Sequence, residues 1–180
     1  MIEKIQKLTE LGAGEFEHVD GTLIEHLKGT QELLREWSAK TELQDAGLYH
    51  AAYGTAGFGE SIVSTEHRSN ISDIIGSAAE ELVYQYCACD RQKFFAKIGN
   101  ELDPEFNNRF TNESYHLSPQ MLKDICELTA ANEIEVSIEN PAFIAEHGAE
   151  LANLFTRMTQ YLSLDAQARS EQAFGDSHPK

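Results

Sequence analysis

Apolar residues recur along this chain mostly at steps of three and four, the spacing of a helix stripe rather than of a strand. Ile2, Ile5, Leu8 and Leu11 predict a short amphipathic helix over residues 1–11, ended by Gly12 and Gly14. Thr22 with Glu25 three positions later is a capping-box start, and Leu23, Leu27, Leu34 and Trp37 carry one apolar face to about Ser38. Thr41 and Gln44 repeat the box and predict a second helix running to Gly54.

From residue 54 to 70 the pattern lapses. Gly54, Gly57 and Gly59 alternate with Ser61, Ser64 and Ser69, which predicts a flexible loop of a length that is often functional. Short helical turns near Ile71–Ile75 lead to Gly76. Ser77 and Glu80 then predict a capped helix through Leu82, Val83 and Tyr86 to Asp90. Residues 99–117 look polar and irregular. Ser118-Pro119 and Asn140-Pro141 are two strong helix starts, a capping side chain followed by proline in the first turn. The first opens a stripe of Leu122, Ile125, Leu128 and Ala131; the second predicts a helix through Leu162. Ile134–Ile138 is the one strand-like run, and helix is preferred there. From Asp165 the chain is polar and expected to fray. The expectation is an all-α single domain: an N-terminal helix over 1–14, a helical domain over 15–165 and a polar tail over 166–180.

Composition narrows the function classes. Lys and Arg total 14 against 30 Asp and Glu, a formal charge of −16, so a nucleic-acid backbone or an anionic membrane surface is repelled. No run of apolar residues reaches the roughly 18–20 of a spanning helix, and the first residues are charged where a signal peptide would be apolar. Three cysteines, Cys87, Cys89 and Cys126, cannot all pair within one chain, so reduced thiols and a cytoplasmic location are expected. Cys87 and Cys89 are two apart on a helix, about 200° around its axis, and would not share a metal. Phosphate-loop, dinucleotide-fingerprint and serine-elbow motifs are absent from the sequence. The expected partner is therefore a small molecule; the pattern assigns no oligomeric state.

Histidine carries the chemistry. His26 falls within the first capped helix, His50 within the second, and Asp90 near the end of the third. Separations of 24 and 40 residues forbid a chelate on one helix, but facing helices of a bundle can bring such donors onto one ion. Two imidazoles and a carboxylate suit a mononuclear divalent site (Mn, Fe or Zn), with His18 as a further donor. A helical histidine is also often just a hydrogen-bonded core residue, and periodicity does not separate the two accounts. Asn132-Glu133 line either a pocket or a helix face. His67, His116, His147 and His178 are given no role.

His26-Leu27-Lys28-Gly29-Thr30, then Trp37, then Ala46–Thr55 (AGLYHAAYGT), and later Ile75-Gly76, Ala79-Glu80, Leu82 and Cys89-Asp90-Arg91 resemble an uncharacterised bacterial helical family related to the HD-domain superfamily. The resemblance implies an HD-domain-like helical bundle whose metal ligands run His, His-Asp, Asp along the chain. It puts the first His on His26, the His of the doublet on His50 and the last Asp on Asp90. The Asp of the doublet is Ala51 here, so a two-metal centre is not expected. The resemblance then leaves either one divalent ion with open positions or no metal, and does not itself choose a reaction; a hydrolase of a small anionic or phosphorylated metabolite is the first expectation. A non-catalytic small-molecule binding module or a mononuclear iron oxygenase are the alternatives. Tyr53, Thr55, Arg68 and Arg91 are the candidate substrate contacts; helix termination and ion pairing are their competing accounts. Glu80 is either a capping acid or a group that orients a ligand histidine.

Overall fold

The computed structural model describes residues 2–13, 17–18, 21–56 and 60–177, with residues 17, 18 and 21 as backbone alone. α1 (Ile2–Glu10) stops where Gly12 takes a φ of +104°, a conformation glycine adopts without penalty. β1 (Glu17–His18) and β2 (Gly21–Thr22) form a minimal antiparallel hairpin. Its last residue opens α2 (Leu23–Glu36) through the predicted box. The Glu25 amide donates to Thr22 Oγ1 at 3.4 Å and the Thr22 amide to Glu25 Oε2 at 3.2 Å.

α3 (Thr41–Tyr49) departs from expectation at both ends. Thr41 lies inside the helix rather than capping it, and the Gln44 side chain donates to the Ala39 carbonyl at 2.7 Å instead of closing a box. The helix ends at Tyr49, so His50 is its C-cap residue and not a mid-helix one. Residues 50–53 continue as turns, and the Ala52 carbonyl is taken by the amides of Ile62 and Val63, returning across the loop. That loop is shorter than predicted, because a 3-10 turn at Thr65–His67 leads directly into α4 (Arg68–Ile75).

α5 (Ser77–Ala88) starts after Gly76 at φ +86°, with no side-chain cap, and ends before Asp90. Asp90 instead caps α6 (Arg91–Lys97), a helix the polar sequence did not announce. Residues 99–117 hold a second hairpin, β3 (Glu105–Asn107) with β4 (Ser114–His116) in antiparallel register Phe106↔Tyr115. Strands of three residues are too short for alternation to show, yet Phe106 is fully buried 5.3 Å from the Phe94 ring.

α7 (Pro119–Ser137) and α8 (Pro141–Met158) begin at the predicted caps: Met121 and Phe143 amides donate to Ser118 Oγ at 3.2 Å and Asn140 Oδ1 at 2.9 Å. α8 stops at Met158, and a 3-10 turn separates it from α9 (Leu164–Phe174). The expected fraying from Asp165 does not occur. Ser163 caps α9, and Ala166 and Phe174 are buried, with Phe174 5.7 Å from Phe155 of α8. Two apolar anchors suffice because both meet a surface already built.

α7 is the axis of the assembly, touching α2, α3, α5, α8 and α9, while α3 packs between α2 and α5. Leu8 of α1 and Phe174 of α9 belong to the same buried cluster as Leu27, Tyr49 and Tyr86, so the described chain is one mostly helical domain with a single core. Two glycines set how closely the helices meet. A Cβ on Gly47 of α3 would lie 2.6 Å from Leu34 Cδ1 of α2, and one on Gly29 of α2 would lie 2.6 Å from Glu135 Oε1 of α7. Both close approaches are made by α2, the helix that carries His26. Among the described residues, no helix is long and apolar enough to cross a membrane.

Candidate functional site

His26 occupies the apolar stripe of α2 between Leu23 and Leu27 and is 5% exposed; His50, at the end of α3, is 2% exposed. Their Nε2 atoms are 3.2 Å apart, with ring planes at 83°. The far nitrogen of each ring is held. His50 Nδ1 is 2.7 Å from the Gly47 carbonyl, which accepts only, so that nitrogen bears the proton. His26 Nδ1 donates to the Glu135 carboxylate of α7. Rings so oriented turn both Nε2 atoms toward each other.

A third acceptor joins them. Asn132 Oδ1 of α7, a residue 8% exposed, lies 3.2 Å from His26 Nε2. Its orientation is fixed by the other end of the amide, which donates from Nδ2 to Glu133 Oε1 at 2.9 Å. Three electron-rich atoms therefore surround one small space. Buried acceptors repel unless a positive centre lies among them, either an extra proton on one imidazole or a metal cation. The donor set fits zinc: two ligand nitrogens at about 2.0–2.1 Å from tetrahedral Zn²⁺ stand roughly 3.3–3.4 Å apart. Glu135 and the Gly47 carbonyl are the partners that orient metal-bound imidazoles elsewhere. Among the described residues, no three His, Cys, Asp or Glu side chains are grouped to hold an ion; here the third donor is an amide.

The other candidates are dispersed. The Asp90 carboxylate accepts from the Lys93 amide at 3.2 Å and pairs with Lys93 Nζ at 2.7 Å, so it caps α6 where the resemblance implied a metal ligand. The cause is chain direction: α5 ends two residues earlier, and the Asp90 side chain meets the free amides of the next helix. His18 lies in β1 with its side chain outside the described residues.

Tyr53 and Arg68 share a second polar cluster. Tyr53 donates to Glu80 Oε1 at 2.8 Å, and Arg68 donates from Nε and Nη2 to both Glu80 oxygens at 2.7 Å. Arg68 also reaches Glu81 and lies 3.8 Å over the Tyr84 ring. Burial, with the Glu80 hydrogen bond second, pushes the Tyr53 hydroxyl well above its ordinary value, so it stays a donor. Glu80 thus orients no histidine. Thr55 is buried, 6% exposed.

Arg91 is linked to the histidines through Tyr86. Its Nη1 donates to Glu133 at 3.2 Å and its Nη2 to the Tyr86 hydroxyl at 2.7 Å, and the Tyr86 ring meets His50 edge-on at 5.6 Å. Contacts run in a closed circuit from His26 through Asn132, Glu133, Arg91 and Tyr86 to His50. The three cysteines are free and buried; burial pushes the Cys87 and Cys89 thiols up to about 12 and raises Cys126 as well, which makes them inert.

Residues 7–91 match the model of a family described as a domain of unknown function (DUF6817). No curated protein and no solved structure matches the chain. The matched stretch, a little under half of the chain, contains His26, His50 and Arg91, whereas Asn132, Glu133 and Glu135 lie beyond it on α7. Sequence reasoning gave Asn132 only an open role and missed Glu135. A signal existed: Asn132 and Glu135 continue the stripe of Leu122, Ile125 and Leu128 at helical spacing, and polar groups at core positions need buried partners.

Proposed function

We propose that this chain is a metal-binding helical domain that holds one divalent cation, zinc being the best fit, at His26 Nε2, His50 Nε2 and Asn132 Oδ1. The convergence of three acceptors with both Nδ1 atoms already committed carries the reading. It retains the two histidines supplied by the HD-like resemblance and replaces the carboxylate with an amide from α7. An HD-like bundle remains the proposed fold, supported by two histidines presented from adjacent helices. Of the uses for such an ion, a binding or regulatory role is favoured over hydrolysis or dioxygen chemistry. All three donors are at most 8% exposed, whereas both reactions need substrate at the metal.

Zinc titration by calorimetry on the purified chain, with elemental analysis, tests this. One equivalent is expected for the wild type, and at least a hundredfold weaker binding for His26→Ala and His50→Ala. Equal affinity in all three proteins, or no binding in any, overturns the reading.

A further inference from the structure

Beside the polar circuit, α6, α7 and α8 enclose a cavity of about 480 Å³, within the range of small-molecule sites. Its apolar wall is made by Phe95 from α6 and Phe143, Leu151 and Leu154 from α8, with His147 and the charged side chains at its edges. Two of the chain's six arginines, Arg91 and Arg157, line it in a protein whose formal charge is −16. Arg157 donates from Nη1 to the Phe95 and Ile98 carbonyls at 2.6 and 2.8 Å and from Nε to Asn153 at 3.0 Å, which fixes it against the end of α6. Arg91 is fixed by Glu133 and by Tyr86, whose ring centroid is 5.0 Å from the guanidinium carbon. Each guanidinium has five N–H donors, and these bonds use only some of them.

We propose that this cavity binds a small carboxylate with an apolar body, its head on the Arg91 guanidinium and its tail between Phe95, Phe143 and Leu151. Guanidinium pairs with carboxylate in a planar fork, and Arg91 is pre-positioned, so little side-chain freedom is lost on binding. The acids in the cavity, Glu133 and Glu150, differ in role. Glu133 is the partner that holds Arg91 in place, and Glu150 is exposed on the solvent side of α8. The apolar wall excludes ligands that are all charge, such as inorganic phosphate. The site shares Arg91 and Glu133 with the histidine circuit but does not require a metal there.

Octanoate is the probe, titrated by calorimetry into the full chain in the presence of EDTA, beside octan-1-ol and octylammonium. Octanoate is expected to bind one-to-one and at least tenfold more tightly than either. Arg91→Gln should weaken octanoate at least tenfold and leave octan-1-ol unchanged. Leu151→Trp, checked for helix content by circular dichroism, should abolish both by filling the cavity. Failure of octanoate to bind, equal affinity for octan-1-ol or octylammonium, or binding retained in folded Leu151→Trp overturns the proposal. If either variant fails to fold, the ranking of the three ligands on the wild type decides alone. Because EDTA removes free metal, a negative result here is separate from a negative zinc titration.

Discussion

Two buried polar clusters both touch α5, one through Glu80 and the other through Tyr86, and they are built on opposite principles. Around Glu80, donors and acceptors match: one carboxylate takes the Tyr53 hydroxyl and the Arg68 fork, and charge is balanced on the spot. Around His26 and His50, two Nε2 atoms and the Asn132 amide oxygen converge, while Glu135 and the Gly47 carbonyl hold the Nδ1 atoms on the outer side. A matched cluster asks for nothing more and reads as structure. In the other, the convergence of two imidazoles and an amide oxygen is what the proposed metal site rests on.

The largest effect should come from breaking the complete cluster. Glu80→Ala leaves Arg68 and Tyr53 without their acceptor. Buried pairs broken on one side cost about 3–5 kcal/mol. Arg68 is about a third exposed and can recover water, so a loss of about 3 kcal/mol in urea unfolding is expected. Zinc affinity should not change. A variant that lost zinc while keeping its stability would reverse the assignment of the two clusters.

Next comes Glu135. Groups that orient a metal-bound histidine typically govern ten- to a hundredfold in affinity, so Glu135→Gln should weaken zinc within that range with little change in the metal-free unfolding midpoint. Gly29→Ala is a finer probe. In a helix the substitution alone would stabilise by about 1 kcal/mol, but the new Cβ would lie 2.6 Å from Glu135 Oε1 and 2.8 Å from its Cγ. The carboxylate must swing off His26. Zinc should weaken several-fold while metal-free stability stays level or rises, a divergence that simple misfolding would not produce. Parallel loss of both would count against Glu135 as the orienting group.

The helical architecture was legible wherever a chemical signal was local. Thr22/Glu25, Ser118-Pro119 and Asn140-Pro141 each fix a helix start through a bond spanning three residues, and all three form. What failed depended on distant chain. Ser77 and Glu80 have the box spacing, but Glu80 has a stronger partner in Arg68, and α9 is held by contacts with α7 and α8 that its own polar sequence does not advertise. The site divides in the same way. His26 and His50 were identifiable by residue type, and they meet. Asn132 and Glu135, which contact His26, lie more than 100 residues from it, and no spacing rule reaches that far.

Asp90 offers the smallest effect and the cleanest separation between the ligand expected of it and the cap observed. The Lys93 side chain, hydrogen-bonded to it, holds its carboxyl below the usual carboxylate range, and the Lys93 amide adds to this. Removing an N-cap carboxylate costs about 1 kcal/mol, so Asp90→Ala should lower stability by that amount at neutral pH. A depressed folded-state value means that its contribution is present above the ordinary carboxylate range and fades as pH falls through the folded value, so the gap between wild type and variant should narrow in acid. Zinc stoichiometry and affinity should match the wild type throughout, because the groups Asp90 contacts are Lys93's and not either imidazole. A hundredfold loss of zinc in Asp90→Ala would mean that α6 is drawn inward when the ion binds and that the carboxylate leaves its cap to join the two histidines.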